Sequence, residues 1–167
     1  RLMDLMFAFP ADDTQGPDLA VRGGDLVLGD GLLEAIWLSI FTDRRAPETL
    51  AVDGDDRRGW WGDALEAAAE DRDGRPLGSL WWTLAREKET EETRLRAKDI
   101  VDAALAWMPA SRETAVRDVT AVTSRVWWAR RGLLAVQITV TLKAGGVRAF
   151  AFERGLADGR ARYLGTI

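Results

Sequence analysis

Residues 134–142 read Leu134-Ala135-Val136-Gln137-Ile138-Thr139-Val140-Thr141-Leu142. Large apolar side chains alternate here with small or polar ones, the period of a strand that buries one face. Lys143-Ala144-Gly145-Gly146 follows as a hairpin loop, and Val147 to Phe152 returns as the partner strand. Val116 to Thr123 supplies a third strand, whose less regular alternation predicts a bulge. The β region therefore spans residues 113–153. Residues 154–167 are rich in Gly and Arg and end in Tyr163, Leu164 and Ile167. They read as a C-terminal tail ordered by a partner, so that deleting them is expected to leave a folded monomer. With Val147 to Phe152 placed at the sheet edge, unpaired backbone groups there would accept an added strand, beside Arg148, Arg154, Arg160 and Arg162.

The region before the strands reads as helical, residues 30–108, with a long loop inside it. Leu33, Ile36, Trp37, Ile40 and Phe41 recur at i, i+3, i+4, i+7 and i+8, one apolar stripe, with Asp30 as the N-cap. The helix stops near Thr42, because Pro47 and the charged run before it disfavour continuation. Residues 43–62 form a loop longer than compact domains usually carry, which points to function. Asp63 to Glu70 reads as a short helix, Asp71 to Gly74 as a turn, and Leu80 to Arg86 as helical. Thr90 caps the last helix, Glu91 and Glu92 suit its first turn, and Glu92 with Arg96 forms an i, i+4 pair. Ala97, Ile100, Val101, Ala104, Leu105 and Met108 give its buried face, and Pro109 ends it.

The N-terminal part, residues 3–28, is β. Asp18 to Val21 and Asp25 to Leu28 are strand candidates joined by Gly23-Gly24, which supplies the positive φ of a hairpin turn. A meander of this size must dock on something. Helices grouped before antiparallel strands make an α+β fold: helices packed on a small antiparallel sheet, with an N-terminal β-meander. The parts are then 1–29 as N-terminal extension, 30–153 as core and 154–167 as tail.

Composition narrows the chemistry. The 167 residues carry a formal charge of −4, against the basic excess of a nucleic-acid binder. There is neither cysteine nor histidine, which removes disulfides, thiol chemistry, the commonest general base and the commonest zinc ligand. No apolar run approaches a membrane span, and no signal-peptide pattern opens the sequence. Asp53, Asp55, Asp56, Asp63 and Glu66 could supply a hydrolytic carboxylate pair, but no spacing selects two of them. Asp53-Gly54-Asp55-Asp56 and Asp71-Arg72-Asp73-Gly74 do not match a calcium loop. Gly23-Gly24 and Gly145-Gly146 are turns, with no phosphate-loop sequence after them. Arg57 and Arg58 beside Trp60 and Trp61 could stack on bases, but the flanking acids repel phosphate. No catalytic residue, metal or cofactor is therefore assigned.

Eight tryptophans stand against one tyrosine. Adjacent residues in a regular element point in different directions, so one ring of each pair Trp60-Trp61, Trp81-Trp82 and Trp127-Trp128 belongs to the core. The other either lies under the chain's own loops or anchors a neighbouring subunit. Trp37 and Trp107 lie on helix stripes and read as core.

The tracts Ala35-Ile36-Trp37-Leu38-Ser39-Ile40-Phe41-Thr42-Asp43-Arg44-Arg45-Ala46, Asp56-Arg57-Arg58-Gly59-Trp60-Trp61-Gly62-Asp63, Gly78-Ser79-Leu80-Trp81 and Ala103-Ala104-Leu105-Ala106-Trp107 occur in that order. Together they resemble the Mu-like phage tail baseplate protein family, over roughly residues 18–108. That family is related to the contractile-tail baseplate wedge and sheath-initiator group, sometimes labelled lysozyme-like. The resemblance implies a virion structural protein of a contractile phage tail, not an enzyme, with residues 30–153 as the baseplate wedge core. It implies a sixfold hetero-oligomeric assembly with larger baseplate wedge proteins, tail tube and tail sheath subunits, put together in the host cytoplasm and involving neither nucleic acid nor membrane. The wider group carries Glu-Pro-Arg after its last long helix; Met108-Pro109-Ala110 stands here, so that contact does not transfer. The alternative is a peptidoglycan-degrading lysozyme-like tail enzyme. The expected interface comprises Arg44, Arg45, Arg57, Arg58, Trp60, Trp61, Trp82, Arg148, Phe150, Phe152 and Tyr163.

Overall fold

In this computed structural model, which describes residues 4–10, 16–61, 75–111 and 115–167, the chain runs through short strands, helices and a sheet. The strands are β1 (Asp4–Leu5), β2 (Phe7–Ala8), β3 (Asp18–Leu19), β4 (Val21–Arg22), β5 (Asp25–Leu26) and β6 (Leu28–Gly29). Helices α1 (Leu32–Phe41) and α2 (Glu91–Leu105) follow, with 3-10 turns at Trp81–Leu84 and Met108–Ala110. The sheet strands are β7 (Val119–Arg130), β8 (Leu133–Leu142), β9 (Val147–Gly155) and β10 (Ala161–Thr166). The fold is α+β. The helix and turn predicted over 63–74 lie outside the described residues.

The sheet is antiparallel in the order β10-β9-β8-β7. Directly paired residues share a face, so the register defines rows. One row runs Val126, Val136, Phe152, Tyr163 and the next Ser124, Ile138, Phe150, Thr166. Phe150 and Phe152 are fully buried. Each such ring contributes about 2–3 kcal/mol by leaving water. Two expectations are corrected here. β9 is not an edge, because β10 covers it. The segment expected as a partner-ordered tail completes β9 and forms β10, with Arg154 and Leu156 buried, so deleting residues 154–167 would open the core rather than leave an intact monomer. The expected bulge is present, as a register shift between Val119 and Ala121.

Helix α1 lays its apolar stripe on this face, with Leu32, Ile36, Trp37 and Ile40 buried. Trp37 and Phe41 stand 6.0 and 5.6 Å from the Phe152 ring. The N-cap is Gly31 in left-handed conformation rather than Asp30, whose carboxylate instead accepts the Leu32 N–H at 3.2 Å. Thr90 caps α2 as predicted, accepting the Thr93 N–H at 3.1 Å. In place of the expected Glu92–Arg96 pair, Arg94 pairs with Glu91 and Arg96 with Glu87. Arg94 also donates to the Val126 carbonyl at 2.9 Å, and the Ser124 hydroxyl to Asp102, tying α2 to β7.

The N-terminal strands close a ring. Met6 N–H donates to Val27 O, Val27 N–H to Ala20 O and Ala20 N–H to Met6 O, at 2.8–2.9 Å. Pairs β1–β6, β2–β3 and β4–β5 radiate from it, the last turned by Gly23 and Gly24 at positive φ, as predicted. The ring docks in cis: Phe9 meets Trp37 at 5.1 Å and Tyr163 at 4.9 Å, and Glu34 accepts the Phe7 N–H at 2.9 Å.

Ser79 clamps the end of α1. Its hydroxyl donates to Ile40 O at 2.6 Å and accepts the Trp81 N–H at 3.1 Å, while its backbone bridges Thr42 and Arg44. Gly78 makes this approach possible: φ is +91°, and an added Cβ would stand 2.2 Å from Thr42 O. Gly78→Ala is expected to cost about 2–4 kcal/mol, strain and overlap together. Gly145→Ala, at φ +80° with nothing within 4 Å, should cost only the strain, about 1–2 kcal/mol. Urea denaturation of the two variants checks the difference.

Candidate assembly surface

The loop from Asp43 to Trp61 is built around Arg57. Its guanidinium donates to the carbonyls of Pro47 at 2.8 Å and Leu50 at 3.1 Å, and pairs with Glu48 at 3.1 Å. A loop without regular structure leaves carbonyls unpaired; one five-donor cation answers several of them. Ala46 N–H donates to Arg57 O at 3.0 Å, and Ala46 is buried beneath. Arg58, at φ +50°, pairs with Asp43 and lies 4.9 Å over the Trp82 ring.

Both rings of the second tryptophan pair are buried, Trp81 in the main core and Trp82 beneath this loop. Trp82 donates its indole N–H to Arg44 O at 2.8 Å. The expectation that Trp82 reaches outward is thus corrected: adjacent rings do face different ways, but a folded-back loop supplies the second cover. Phe150 and Phe152 are likewise core rather than surface. Arg148 pairs with Asp30 at 2.5 Å, across the Phe150 ring. Tyr163 is half-buried and shares its hydroxyl with Thr166 at 2.7 Å. Trp107 packs at the core margin, donating to Ser39 Oγ at 3.2 Å beneath Arg75. Trp128 donates to Thr90 O at 3.3 Å, while Trp127 lies beside Arg125.

Among the expected interface residues, Trp61 and Arg45 face solvent most clearly. Trp61 is 75% exposed, its ring 5.4 Å from that of Trp60. Arg45 makes a loose contact to Glu48 at 3.6 Å. Sequence reasoning missed the apolar surface of the N-terminal ring. Leu5, Met6, Leu19, Val21, Leu26 and Leu28 are exposed on the N-terminal ring, and Leu164 and Ile167 are exposed on and beside β10. The signal was available: strands of two residues cannot cover their own apolar side chains. The acids considered for catalysis that the structure describes lie in the exposed loop. Asp53 pairs with Arg86 at 2.7 Å and Asp56 accepts the Arg58 N–H at 2.8 Å. Asp63 and Glu66 lie outside the described residues. Among the described residues, no group of acidic side chains is placed to hold a metal ion.

The loop, its tandem indoles and the helix stripe are the features that the family match covers. The family model described as phage protein GP46 matches residues 32–147. This chain belongs to the phage protein GP46 family. Baseplate protein gp46 of Escherichia phage Mu is 41% identical over 138 residues, covering 81% of this chain and 87% of that protein. The Mu-like prophage FluMu protein gp46 of Haemophilus influenzae is 38% identical over 91 residues, 54% of this chain and 57% of that protein. No solved structure matches this chain.

Trp61→Ala is expected to change stability by less than about 0.5 kcal/mol, as for an exposed site. Trp82→Ala should cost about 3–5 kcal/mol through the cavity left under the loop. Guanidinium denaturation followed by circular dichroism separates the two.

Proposed function

We propose that this chain is a structural subunit of a phage-tail baseplate and catalyses no reaction. The observation that carries the reading is its likeness, across most of its length, to the baseplate protein of phage Mu. The finer reading follows the resemblance in sequence. The chain serves as a wedge component of a contractile tail, contacts larger wedge proteins and the tail tube, and helps to start the sheath within a sixfold assembly in the virion. Its exposed surfaces suit permanent neighbours, since large assembly interfaces are more apolar than a free surface.

Strand addition is assigned to β10 rather than to Val147–Phe152. β10 is the terminal strand of the sheet and pairs on one side with β9. It is short and carries a register shift between Tyr163 and Gly165, so a partner strand would add beside Leu164 and Ile167. The loop with Trp61 and Arg45 offers a separate anchor of large area and low entropy cost.

Replacing Trp60 and Trp61 by alanine together should leave the isolated chain folded, with its melting temperature lowered by no more than a few degrees. The same variant, co-expressed with the neighbouring tail proteins, should lose most of the co-purifying complex. A full complex formed by that variant would remove the loop from the interface. Failure of the unaltered chain to join any tail protein would overturn the baseplate reading.

A further inference from the structure

A groove of about 320 Å³ runs between the N-terminal ring, α1 and the end of α2. Leu5, Leu19, Leu38 and Trp107 contribute its apolar walls, and the three leucines are exposed. Two carboxylates, Asp4 and Glu34, line the same groove. Glu34 is 8% exposed and accepts the Phe7 N–H at 2.9 Å. Asp4 is exposed and accepts the N–H of its neighbour Leu5 at 3.0 Å. Neither acid pairs with a cation among the described residues. Arg75 also lines the groove, with its guanidinium stacked on the Trp107 ring at 3.9 Å.

A carboxylate without a cation beside apolar side chains is costly. The start of α1 offsets part of that cost, since its cap Gly31 stands against Asp4 and Glu34 lies in its first turn. A helix end carries about half a positive charge, less than two carboxylates bring. With Arg75 counted, the groove keeps an excess of negative charge. Its chemistry therefore suits an apolar body that carries one cation. The chain displays such a pair elsewhere on its surface. Trp61 is the exposed aromatic ring among the described residues. Arg45 holds Glu48 only at 3.6 Å, with its own side chain 63% exposed. The two share one loop surface: an added Cβ on Gly59, two residues before Trp61, would stand 2.9 Å from the Arg45 Cβ.

We propose that the Trp61 ring of one copy of this chain docks in the groove of a second copy, with Arg45 paired to Asp4 at the groove mouth. Size permits it: a dry cavity of about 150 Å³ accepts benzene, so this groove has room for an indole and the end of an arginine. Charge selects it, because the cation arrives beside the indole at a site that holds excess carboxylate. Ligand and receptor lie in one sequence, so every copy offers both. An indole buries about 150–250 Å², well short of the roughly 1,600 Å² of a standard interface. The isolated chain should therefore associate weakly, with a Kd of about 0.1–1 mM. Copies held around a tail would meet at a far higher local concentration. That last step rests on the baseplate reading; the contact between copies does not.

The test uses the isolated full chain. The sequence has no cysteine, so Asp18→Cys, beside Leu19 and exposed, takes a nitroxide label at one site. Unlabelled-nitrogen chain carrying the nitroxide is mixed with the unaltered chain labelled with nitrogen-15. The Trp61 indole N–H resonance should broaden in proportion to the nitroxide chain added. Sedimentation equilibrium then compares variants that circular dichroism shows to be folded. Trp61→Ala, Asp4→Arg and Arg45→Glu should each weaken association at least about fivefold. An equimolar mixture of Asp4→Arg and Arg45→Glu chains should associate more tightly than either alone, because reversed charges meet again. If Asp4→Arg does not fold, the nitroxide result and Arg45→Glu decide. Absence of broadening, or association that these variants leave unchanged, overturns the proposal. A chain that stays monomeric, yet loses tail-protein complex on Asp4→Arg, would give the groove to a different protein, and the proposal fails. Failure of the unaltered chain to join any tail protein counts against the baseplate reading alone, leaving the nitroxide result to judge the contact between copies.

Discussion

Burial of Phe152 is the contact on which the rest of the molecule depends. This ring, on an interior strand, touches the rings of Trp37, Phe41 and Tyr163. Through Trp37 and Tyr163 it also supports Phe9, and hence the N-terminal ring of strands. One buried aromatic thus joins the sheet, α1, β10 and the N-terminal module. Aromatic contacts of this kind add about 0.5–1.5 kcal/mol each beyond their area. Their geometry also fixes the angle at which α1 leaves the sheet, and α1 aims its last turn at Ser79.

From that point the long loop is organised by polar chemistry. Ser79 closes the helix end, Arg57 answers carbonyls inside the loop, and Arg58 bridges Asp43 and the Trp82 ring. Arginines that read as partner-seeking in sequence are consumed internally, because a loop covering an indole must first satisfy its own backbone. What it leaves outward is Trp61 with Arg45. The apolar side chains of the N-terminal ring and the edge strand β10 are the other outward features. A chain whose surface spends indole, leucine and a strand edge on solvent is suited to fixed neighbours, in keeping with a part of a phage baseplate.

Arg154 is a different kind of feature. It breaks the alternation of the most regular hairpin at the point where the sheet meets the loop. Sheet, loop and 3-10 turn each bring one group to it: β9 the cation, the start of the loop after α1 the Asp43 acid, the Trp81–Leu84 turn the indole. A polar group in such a place weakens the chain relative to an apolar residue of the same size.

Local pattern alone determined the α+β class, the β8–β9 hairpin with its glycine turn, the apolar stripe of α1, the Thr90 cap and the tracts that mark the family. Each of these depends on spacing within a few residues, which a period of 2 or 3.6 exposes directly. Only the tertiary structure decided that β10 flanks β9, that Trp82 lies under the loop, that Arg57 faces inward, and that the N-terminal leucines stay exposed. The reason is physical: periodicity says which side of an element is buried, but the neighbour that buries it is chosen by contacts far apart in the chain.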